Sequence, residues 1–296
     1  MARPFYTLDV FADRAFAGNP LAVVLDAQGL DDAAMQTIAR EFNLSETVFV
    51  FEPRNPINTA ALRIFTPARE LPFAGHPTVG TACLLAHLRA RELLAAQDLR
   101  VVLEERIGEV VCVARHRRGQ AMASYFTLPR LPEPAGEAPS AATLAAGLGL
   151  QETDIGFANH APSVWGVGAP HIFVPVATSE ALARADPRRS AWGADGGPSV
   201  YLYCPLEGRE RFRARMFAGG WGIVEDPATG SAAASFAGVV MTFDPPGDGE
   251  HMLMIEQGVE MGRPSLISLG LEIEGGALRA ATVGGSAVIV SEGRLL

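Results

Sequence analysis

Two stretches of the sequence place polar side chains next to a run of small residues. Residues 76–82 read His-Pro-Thr-Val-Gly-Thr-Ala and residues 226–232 read Asp-Pro-Ala-Thr-Gly-Ser-Ala, at an offset of 226 − 76 = 150. Each has a Pro placed to begin a helix, because the N–H group that Pro lacks would have no partner in a first helical turn. The free N–H groups and the positive dipole end of such a helix favour a carboxylate. We predict that the two stretches form the two sides of one active site.

His76, Asp226 and Ser231 are the candidate catalytic groups in these stretches. Each also has a purely structural interpretation. His76 or Asp226 could cap the helix that follows it, and Ser231 could simply be a small residue in a tightly packed helix. The two stretches carry different titratable groups at matching positions, which capping alone would not require. This recurrence favours a catalytic role.

Glu46 is a further candidate, because it is the only acid within residues 43–50 and is followed by the apolar run Val48 to Val50. Such neighbours would partly desolvate the carboxyl group and raise its pKa, which suits a group that takes and returns a proton near neutral pH. An acid at the start of a strand is usually exposed, so Glu46 taken alone is a weak candidate.

Other kinds of site find little support. The sequence contains no Lys, which excludes a lysine Schiff base, and Ser231 does not lie in a Gly-x-Ser-x-Gly motif. The remaining histidines lack the spacing of metal ligands, so we predict no metal site. Arg263 could contact an anion or be only a surface charge.

Length and composition describe an ordinary globular protein. A chain of 296 residues has room for about two domains, and a net charge of −9 argues against nucleic acid or an anionic membrane as the main partner. No apolar run reaches the ~18 residues of a membrane span, and the N-terminal residues do not resemble a signal peptide. The three cysteines are odd in number and lie in apolar segments, which indicates free thiols in the cytoplasm.

The order of predicted elements repeats along the chain. Gly168-x-Pro170 before an apolar strand mirrors Gly18-x-Pro20, again at 168 − 18 = 150 residues. Helices are predicted near residues 31–42, 79–88, 141–148 and 231–241. Strands are predicted near residues 5–11, 21–25, 47–51, 61–65, 99–104, 110–115, 122–128, 171–176, 200–203, 213–217, 252–256, 265–273, 277–283 and 288–290.

Two of these helices predict an unusual architecture. Residues 79–88 and 231–241 contain no charged side chain, and a helix that is uncharged on every side is usually buried on every side. That pattern fits a helix running through the middle of a curved, barrel-like sheet. We therefore predict an α+β fold with two pseudo-symmetric αβ domains, rather than a doubly wound parallel sheet.

A stretch rich in Pro, residues 129–139, is the best domain boundary. It predicts an N-terminal domain of residues 1–128, which the last strand at about 286–296 could complete, and a C-terminal domain of residues 129–296.

The sequence also resembles a known family through stretches that span nearly the whole chain in the family's order. They are Asp9-Val-Phe, Gly18-Asn-Pro-Leu-Ala-Val-Val, Asn43-Leu-Ser-Glu-Thr, Phe65-Thr-Pro, Pro72-Phe-Ala-Gly-His-Pro-Thr-Val-Gly, Glu225-Asp-Pro-Ala-Thr-Gly-Ser-Ala and Gln257-Gly-Val-Glu-Met-Gly-Arg-Pro-Ser. By these stretches it resembles the PhzF-like family, named for a phenazine-biosynthesis isomerase, within the diaminopimelate-epimerase superfamily. The resemblance implies a diaminopimelate-epimerase-like fold, a site in the cleft between two domains, a homodimer and no cofactor.

The resemblance also implies residue roles. In the phenazine enzyme a glutamate of the Ser-Glu-Thr motif moves a proton along trans-2,3-dihydro-3-hydroxyanthranilate, and this role maps onto Glu46. His76, Asp226 and Ser231 would be its polar catalytic companions. The matched motifs further supply the expected substrate-binding residues, which are Asn19, Gly75, Thr78, Gly230 and Ala232.

One departure narrows the reaction. Amino-acid epimerases of this fold use two cysteines, one at each helix start, whereas here those turns carry His76 and Asp226 and Cys83 lies two turns into its helix. Racemisation by two thiols is therefore not expected.

Three functions are compatible with these motifs. The leading one is a cofactor-independent isomerase that acts on a small carboxylate, and the second is an epimerase or dehydratase on another small acid. The third is a carboxylate-binding or partner-binding protein without turnover. Retention of Glu46, His76, Asp226 and Ser231 disfavours the third, since binding alone needs no proton carrier.

Overall fold

A computed structural model of the chain describes residues 2–187, 198–208, 210–219 and 223–296. The chain divides into two compact units, of which the first comprises residues 1–127 with 284–296 and the second residues 128–283. The last strand serves both units, since its residues 277–283 belong to the second and 284–295 to the first.

Within the described residues there are five α-helices and 17 strands. The helices are α1 (Asp32–Phe42), α2 (Gly75–Ala96), α3 (Ala141–Leu148), α4 (Ser179–Arg184) and α5 (Gly230–Phe243). The strands are β1 (Arg3–Val10), β2 (Asn19–Val24), β3 (Glu46–Phe51), β4 (Ala60–Phe65), β5 (Glu70–Leu71), β6 (Leu99–Glu105), β7 (Gly108–Arg115), β8 (Met122–Thr127), β9 (Glu133–Pro134), β10 (Ser163–Val167), β11 (Ala169–Pro175), β12 (Val200–Pro205), β13 (Arg211–Ala218), β14 (Ile223–Asp226), β15 (Gly249–Gln257), β16 (Ser265–Glu274) and β17 (Ala277–Leu295).

The first unit is a closed barrel around a central helix. Its strands pair in the order β1-β2-β3-β4-β6-β7-β8-β17 and back to β1, and the pairs β2–β3 and β4–β6 are parallel. Helix α2 contacts six of these strands and is buried at every residue from Gly75 to Ala86. The predicted α+β fold with a barrel-like sheet around a central helix is therefore confirmed.

Small side chains let a helix fit inside so few strands. A Cβ atom added at Gly80 would lie 2.7 Å from side-chain carbons of both Leu21 and Val10. Because protein interiors are close-packed, the barrel has no room there for a larger residue. Helix α2 departs from helical geometry only at Ala90, after the continuously buried stretch from Gly75 to Ala86.

The turn after α1 sets where the candidate base lies. Asp31 caps the start of α1 through the Ala34 N–H at 2.8 Å, and Asn43 ends the helix in the left-handed conformation at φ 50°. Asn tolerates this conformation better than most residues. The chain then enters β3 at Glu46, in parallel register with Leu21 of β2.

The second unit repeats the plan with α5. This helix packs against β9, β10, β11 and β16, and Gly230 and residues 232–240 are buried. The sheet pairs β9-β10-β11-β12-β13-β15-β16 in that order, with β11–β12 and β13–β15 parallel like their counterparts in the first unit.

The two strands predicted near residues 277–283 and 288–290 are one continuous strand, β17. The sequence suggested a break because Gly284-Gly285 separates them. The structure uses Gly284 for close approach instead, since a Cβ atom there would lie 2.4 Å from the Ser124 carbonyl oxygen.

The packing of α5 gives a direct test of the fold. A Cβ atom at Gly238 would lie 2.2 Å from the indole ring of Trp165, whereas a Cβ atom at Gly247 would meet nothing within 4 Å. Gly238→Ala should lower the free energy of unfolding by about 1–3 kcal/mol, because overpacking outweighs the helix propensity gained. Gly247→Ala should change it by less than ~0.5 kcal/mol. Urea denaturation measures both, and equal stability of the two variants would contradict the packing described.

Candidate active site

Helix α2 begins without a side-chain cap. Its N-cap is Ala74, and the first helical hydrogen bond runs from the Thr78 N–H to the Ala74 carbonyl at 3.2 Å. The N–H groups of Gly75 and His76 are therefore not used by the helix, and Pro77 has none. The start of α2 therefore has the unused backbone N–H donors that the sequence predicted.

Helix α5 also begins without a side-chain cap, although its start differs in detail. Its N-cap is Thr229, and the first helical bond joins the Ala233 N–H to the Thr229 carbonyl at 2.9 Å. The helix itself leaves the N–H groups of Gly230, Ser231 and Ala232 unused. The prediction that Pro227 begins this helix is wrong, because residues 227–229 connect β14 to α5.

The capping interpretation of His76 and Asp226 is wrong as well. His76 lies inside the first turn of α2, and Asp226 is the last residue of β14. The carboxylate of Asp226 instead accepts a hydrogen bond from the Thr229 hydroxyl at 2.6 Å.

Glu46 and His76 form a buried pair in the first unit. Glu46 Oε2 lies 3.3 Å from His76 Nε2, and the two side chains are only 12% and 5% exposed. Burial lowers the pKa of His76 to about 3, partly offset by a hydrogen bond to the Pro20 backbone. The ring is therefore neutral at pH 7.

The tautomer of His76 follows from its partners. Pro has no N–H, so the imidazole must donate to the Pro20 carbonyl. Nε2 has no hydrogen bond among the described residues, so we assign the N–H to Nδ1. The lone pair of Nε2 then faces the Glu46 carboxyl group. Nε2 can accept a hydrogen bond from a protonated carboxyl group, but a carboxylate has no proton to donate to it.

Buried Gln257 holds the turn that carries Asp226. Its Nε2 donates to the Asp226 carbonyl at 2.8 Å and to the Thr229 hydroxyl at 3.0 Å, and its Oε1 accepts the Thr229 N–H at 3.2 Å. A Cβ atom at Gly258 would lie 2.6 Å from the Pro227 carbonyl, so only glycine allows this close approach. The Gln257-Gly258 motif thus has a structural role, which is to hold the turn of residues 226–229. The sequence alone did not reveal this role.

Ser231 has a partner that sequence reasoning missed. Its hydroxyl lies 3.1 Å from His171 Nε2, and His171 Nδ1 lies 3.0 Å from the Ser199 hydroxyl. Burial lowers the pKa of His171 to about 4, so this ring is also neutral. The available signal was a polar His at the position matching apolar Leu21, at 171 − 21 = 150 residues.

Asn19 and Thr78, two of the predicted substrate-binding residues, lie in buried positions. Asn19 begins β2 next to Pro20 and is fully buried. The Thr78 hydroxyl is directed inward, to the Ala74 carbonyl at 2.8 Å and to Glu105 Oε1 at 2.7 Å. In the second unit, Arg263 lies in the turn after β15, where its N–H donates to the Gly258 carbonyl at 3.0 Å.

The first unit therefore brings Glu46, Gly75 and His76 together. Asn19 is connected to them by the next residue, Pro20, whose carbonyl binds His76. The second brings together Asp226, Gly230, Ser231 and Ala232 around the start of α5. Both clusters join polar side chains to unused N–H groups.

No cluster of three or more metal-binding side chains occurs within the part of the chain that the structure describes. In the same residues, no helix is long and apolar enough to cross a bilayer. Cys83, Cys112 and Cys204 are free and buried, as their apolar surroundings predicted.

Comparisons with known proteins agree with the motifs. A family model described as "Phenazine biosynthesis-like protein" matches residues 8–293. An uncharacterized isomerase of Mesorhizobium japonicum is 48% identical, over 99% of this chain and 98% of its own length. Trans-2,3-dihydro-3-hydroxyanthranilate isomerase of Pseudomonas fluorescens is 34% identical over 99% of each chain.

A solved structure gives the same result for the fold. The PhzF-family phenazine biosynthesis protein of Bacillus anthracis superimposes with a TM-score of 0.85 at 25% identity, covering 100% of this chain and 99% of its own. The family resemblance and the diaminopimelate-epimerase-like fold predicted from the motifs are confirmed.

The neutral state of His171 predicts a pH dependence of stability. Its pKa is lowered in the folded protein from 6.5 to about 4, so below pH 6.5 the unfolded chain binds a proton that the folded chain does not. The stabilisation is fully present above pH 6.5 and is lost as the pH falls toward 4, at about 1.4 kcal/mol per pH unit. Chemical denaturation between pH 7 and pH 4 should show a shallower loss for His171→Asn than for wild type. Parallel profiles would show that His171 is not held neutral.

Proposed function

This chain belongs to the phenazine biosynthesis-like family, and on that premise we propose that it is a cofactor-independent isomerase that moves a proton on a small carboxylate substrate. The observation that carries the proposal is the buried contact of Glu46 with neutral His76, beside a helix start with unused N–H groups. These are the two elements that such a reaction requires, which are a proton carrier and a site for negative charge.

The helix starts are assigned to the substrate carboxylate. Backbone N–H groups at a helix N-terminus point outward along the axis, and the helix dipole adds positive potential there. Gly75 and Gly230 have no side chain that could cover their own backbone N–H groups. The N–H of Ala232 and the side chain of Asn19 are assigned to the same substrate. Thr78 is also a predicted binding residue, but its hydroxyl is directed inward. Its assigned role is therefore to support the turn at the start of α2.

Glu46 is assigned as the proton carrier and His76 as its partner. As a carboxylate, Glu46 takes a proton from a carbon of the substrate and becomes a neutral acid. That acid can donate to the Nε2 lone pair of His76, which stabilises the protonated state until the proton returns to another carbon. Since the proton is removed and returned, the isomerisation is balanced and needs no redox cofactor.

Ser231 is assigned as a hydrogen-bonding group that can reverse its direction. A neutral imidazole has one donor and one acceptor nitrogen, so the chain Ser231–His171–Ser199 has two arrangements. In one arrangement the Ser231 hydroxyl donates to His171 and can accept from the substrate, and in the other it accepts from His171 and can donate. Asp226, fixed by Thr229 and Gln257, supplies a carboxylate for a donor group of the substrate.

The substrate class follows from the relatives rather than from a geometric fit. Trans-2,3-dihydro-3-hydroxyanthranilate, the substrate in the names of three Pseudomonas relatives, has the small size and the carboxylate that these residues would bind. The proposal keeps two remaining expectations of the family resemblance, which are a site in the cleft between the two halves and a homodimer. It also keeps the cytoplasmic location expected from the free thiols.

An epimerase or dehydratase on another small acid is the second candidate. It is favoured by the Ser231–His171 contact, because stereoinversion needs a second acid–base group besides Glu46. The two candidates differ in the product, since an isomerase moves a double bond and an epimerase changes only one stereocentre. A carboxylate-binding protein without turnover would form neither product.

Removing the carboxylate of Glu46 tests the proton carrier. Glu46→Gln should keep the fold and lower the turnover of trans-2,3-dihydro-3-hydroxyanthranilate in D₂O at least ~100-fold, as expected for loss of a general acid–base group. Proton NMR follows substrate loss and deuterium incorporation. Glu52→Gln, an exposed glutamate just after the same strand, is the matched control and should behave as wild type. Unchanged turnover in Glu46→Gln would remove Glu46 from the mechanism.

Chelation tests the absence of a metal cofactor. Dialysis against EDTA should leave the rate within about twofold of the untreated protein, because the proton transfer assigned here uses only Glu46 and its neighbours. A loss that is restored by adding back a divalent cation would overturn this part of the proposal.

A further inference from the structure

Glu105, the last residue of β6, ends inside the first unit against the start of α2. It is 3% exposed, and its Oε1 lies 2.7 Å from the Thr78 hydroxyl, which lies 2.8 Å from the Ala74 carbonyl. Ala74 is the N-cap residue of α2. The contact therefore supports the turn from which the Gly75 and His76 N–H groups project.

The protons at this contact can be counted. The Thr78 hydroxyl has one proton and two short oxygen neighbours, of which the Ala74 carbonyl can only accept. If Thr78 donates to Glu105, the 2.8 Å contact with the Ala74 carbonyl is left without a proton. If Thr78 donates to Ala74, the 2.7 Å contact needs a proton from Glu105. The second oxygen, Oε2, has no hydrogen-bond partner among the described residues. Such an oxygen costs far less as the carbonyl of a neutral acid than as part of a buried carboxylate.

The second unit has a position equivalent to Glu105. An Arg-x-Phe pattern that occurs in both units locates it. Arg63 lies over the ring of Phe65 and Arg215 over that of Phe217, with ring distances of 5.2 Å and 4.7 Å. Each Arg also makes two hydrogen bonds to the Glu of the following short strand, Glu70 in one unit and Glu225 in the other. Strands β4 and β13 are therefore equivalent with 215 − 63 = 152.

The register then matches Glu105 with Gln257. Ala214 of β13 is the parallel partner of Gln257 in β15, and Ala61 of β4 is the partner of Glu104 in β6. Extending this register by one residue matches Leu62 with Glu105, and the offset is again 257 − 105 = 152. Both side chains are buried and both hold a helix start, with Gln257 binding the N-cap residue Thr229 directly.

We propose that Glu105 is a positioning residue that acts as a neutral carboxylic acid, supporting the catalytic helix start of the first unit as the amide of Gln257 supports that of the second. A protonated carboxyl group and an amide have nearly the same shape, and each offers one donor and one acceptor side. An amide cannot lose its donor near neutral pH, whereas the acid loses it as the pH rises. The consequence for activity rests on the proposed function.

The groups around Glu105 indicate that the expected titration belongs to Glu105 itself and not to a neighbour. Burial raises its pKa to about 8, and the hydrogen bond with the Thr78 hydroxyl offsets part of this rise. The titratable group that interacts with it from β7 is the thiol of Cys112, which in turn interacts with the thiol of Cys83 in α2. Burial raises the pKa values of both thiols, that of Cys83 to about 12. Its neighbours along the chain have other partners, since Glu104 binds Asn58 and Arg106 binds Glu70.

Two spectroscopic measurements test the proposal without any assumption about the reaction. In protein labelled with ¹³C at the glutamate carboxyl carbon, one resonance should be that of a neutral acid at pH 6, titrate near pH 8 and be absent from Glu105→Gln. The ring ¹⁵N signals of His76 should shift with the same midpoint in wild type and stay constant in Glu105→Gln. A Glu105 resonance already typical of a carboxylate at pH 6, or a His76 signal unaffected by its titration, overturns the proposal.

Activity provides the functional readout. Between pH 7 and pH 9.5, kcat/KM for trans-2,3-dihydro-3-hydroxyanthranilate should fall about tenfold in wild type, as a displaced catalytic turn predicts. Glu105→Gln should match wild type at pH 7 and keep its rate at pH 9.5. Glu104→Gln, the adjacent glutamate, is the control and should retain the alkaline fall. An identical alkaline fall in Glu105→Gln overturns the positioning role. Wild type without turnover of trans-2,3-dihydro-3-hydroxyanthranilate at any pH refutes isomerisation of this substrate and leaves the spectroscopic test to decide on Glu105.

Discussion

The structure depends on one constraint, which is that each half encloses a helix within its own curved sheet. An enclosed helix must be apolar on every side and narrow, which explains the uncharged small-residue runs after Gly75 and Gly230. Burial of its sides leaves the ends as the only polar parts of the helix. Since neither start has a side-chain cap, the N–H groups and the dipole remain available for an anion. The same packing that stabilises the fold thus prepares the site.

Burial also decides the charge of the groups around these helix starts. Desolvation disfavours a charged imidazole and a charged carboxyl group alike. It holds His76 and His171 neutral and raises the pKa of Glu105. Neutral rings and a neutral acid have both a donor and an acceptor side, which permits the paired contacts Glu46–His76 and Ser231–His171. A site with charged imidazoles would have donors only and could not accept a proton from Glu46.

The sequence predicted those features that depend on local patterns. Uncharged helices, the repeat at 150 residues and the motifs around Glu46, His76 and Asp226 are visible in one dimension. Features that depend on the register between distant strands were not predicted. The contact of His171 with Ser231 arises because β11 passes beside the start of α5, and the equivalence of Glu105 and Gln257 appears only after strand pairing is known. The position of Pro227 was misjudged because the helices begin at different points of the matched motif. Helix α2 begins at Gly75, two residues before Pro77, whereas α5 begins at Gly230, three residues after Pro227.

The central claim is that the uncapped helix starts bind the substrate carboxylate while Glu46 carries the proton. Backbone amide NMR of Glu46→Gln titrated with trans-2,3-dihydro-3-hydroxyanthranilate tests it most directly, because this variant should bind without consuming the ligand. The N–H signals of Gly75, His76, Gly230 and Ser231 should shift together with a single dissociation constant. Saturable shifts confined to other residues, with these four signals unchanged, would contradict the account.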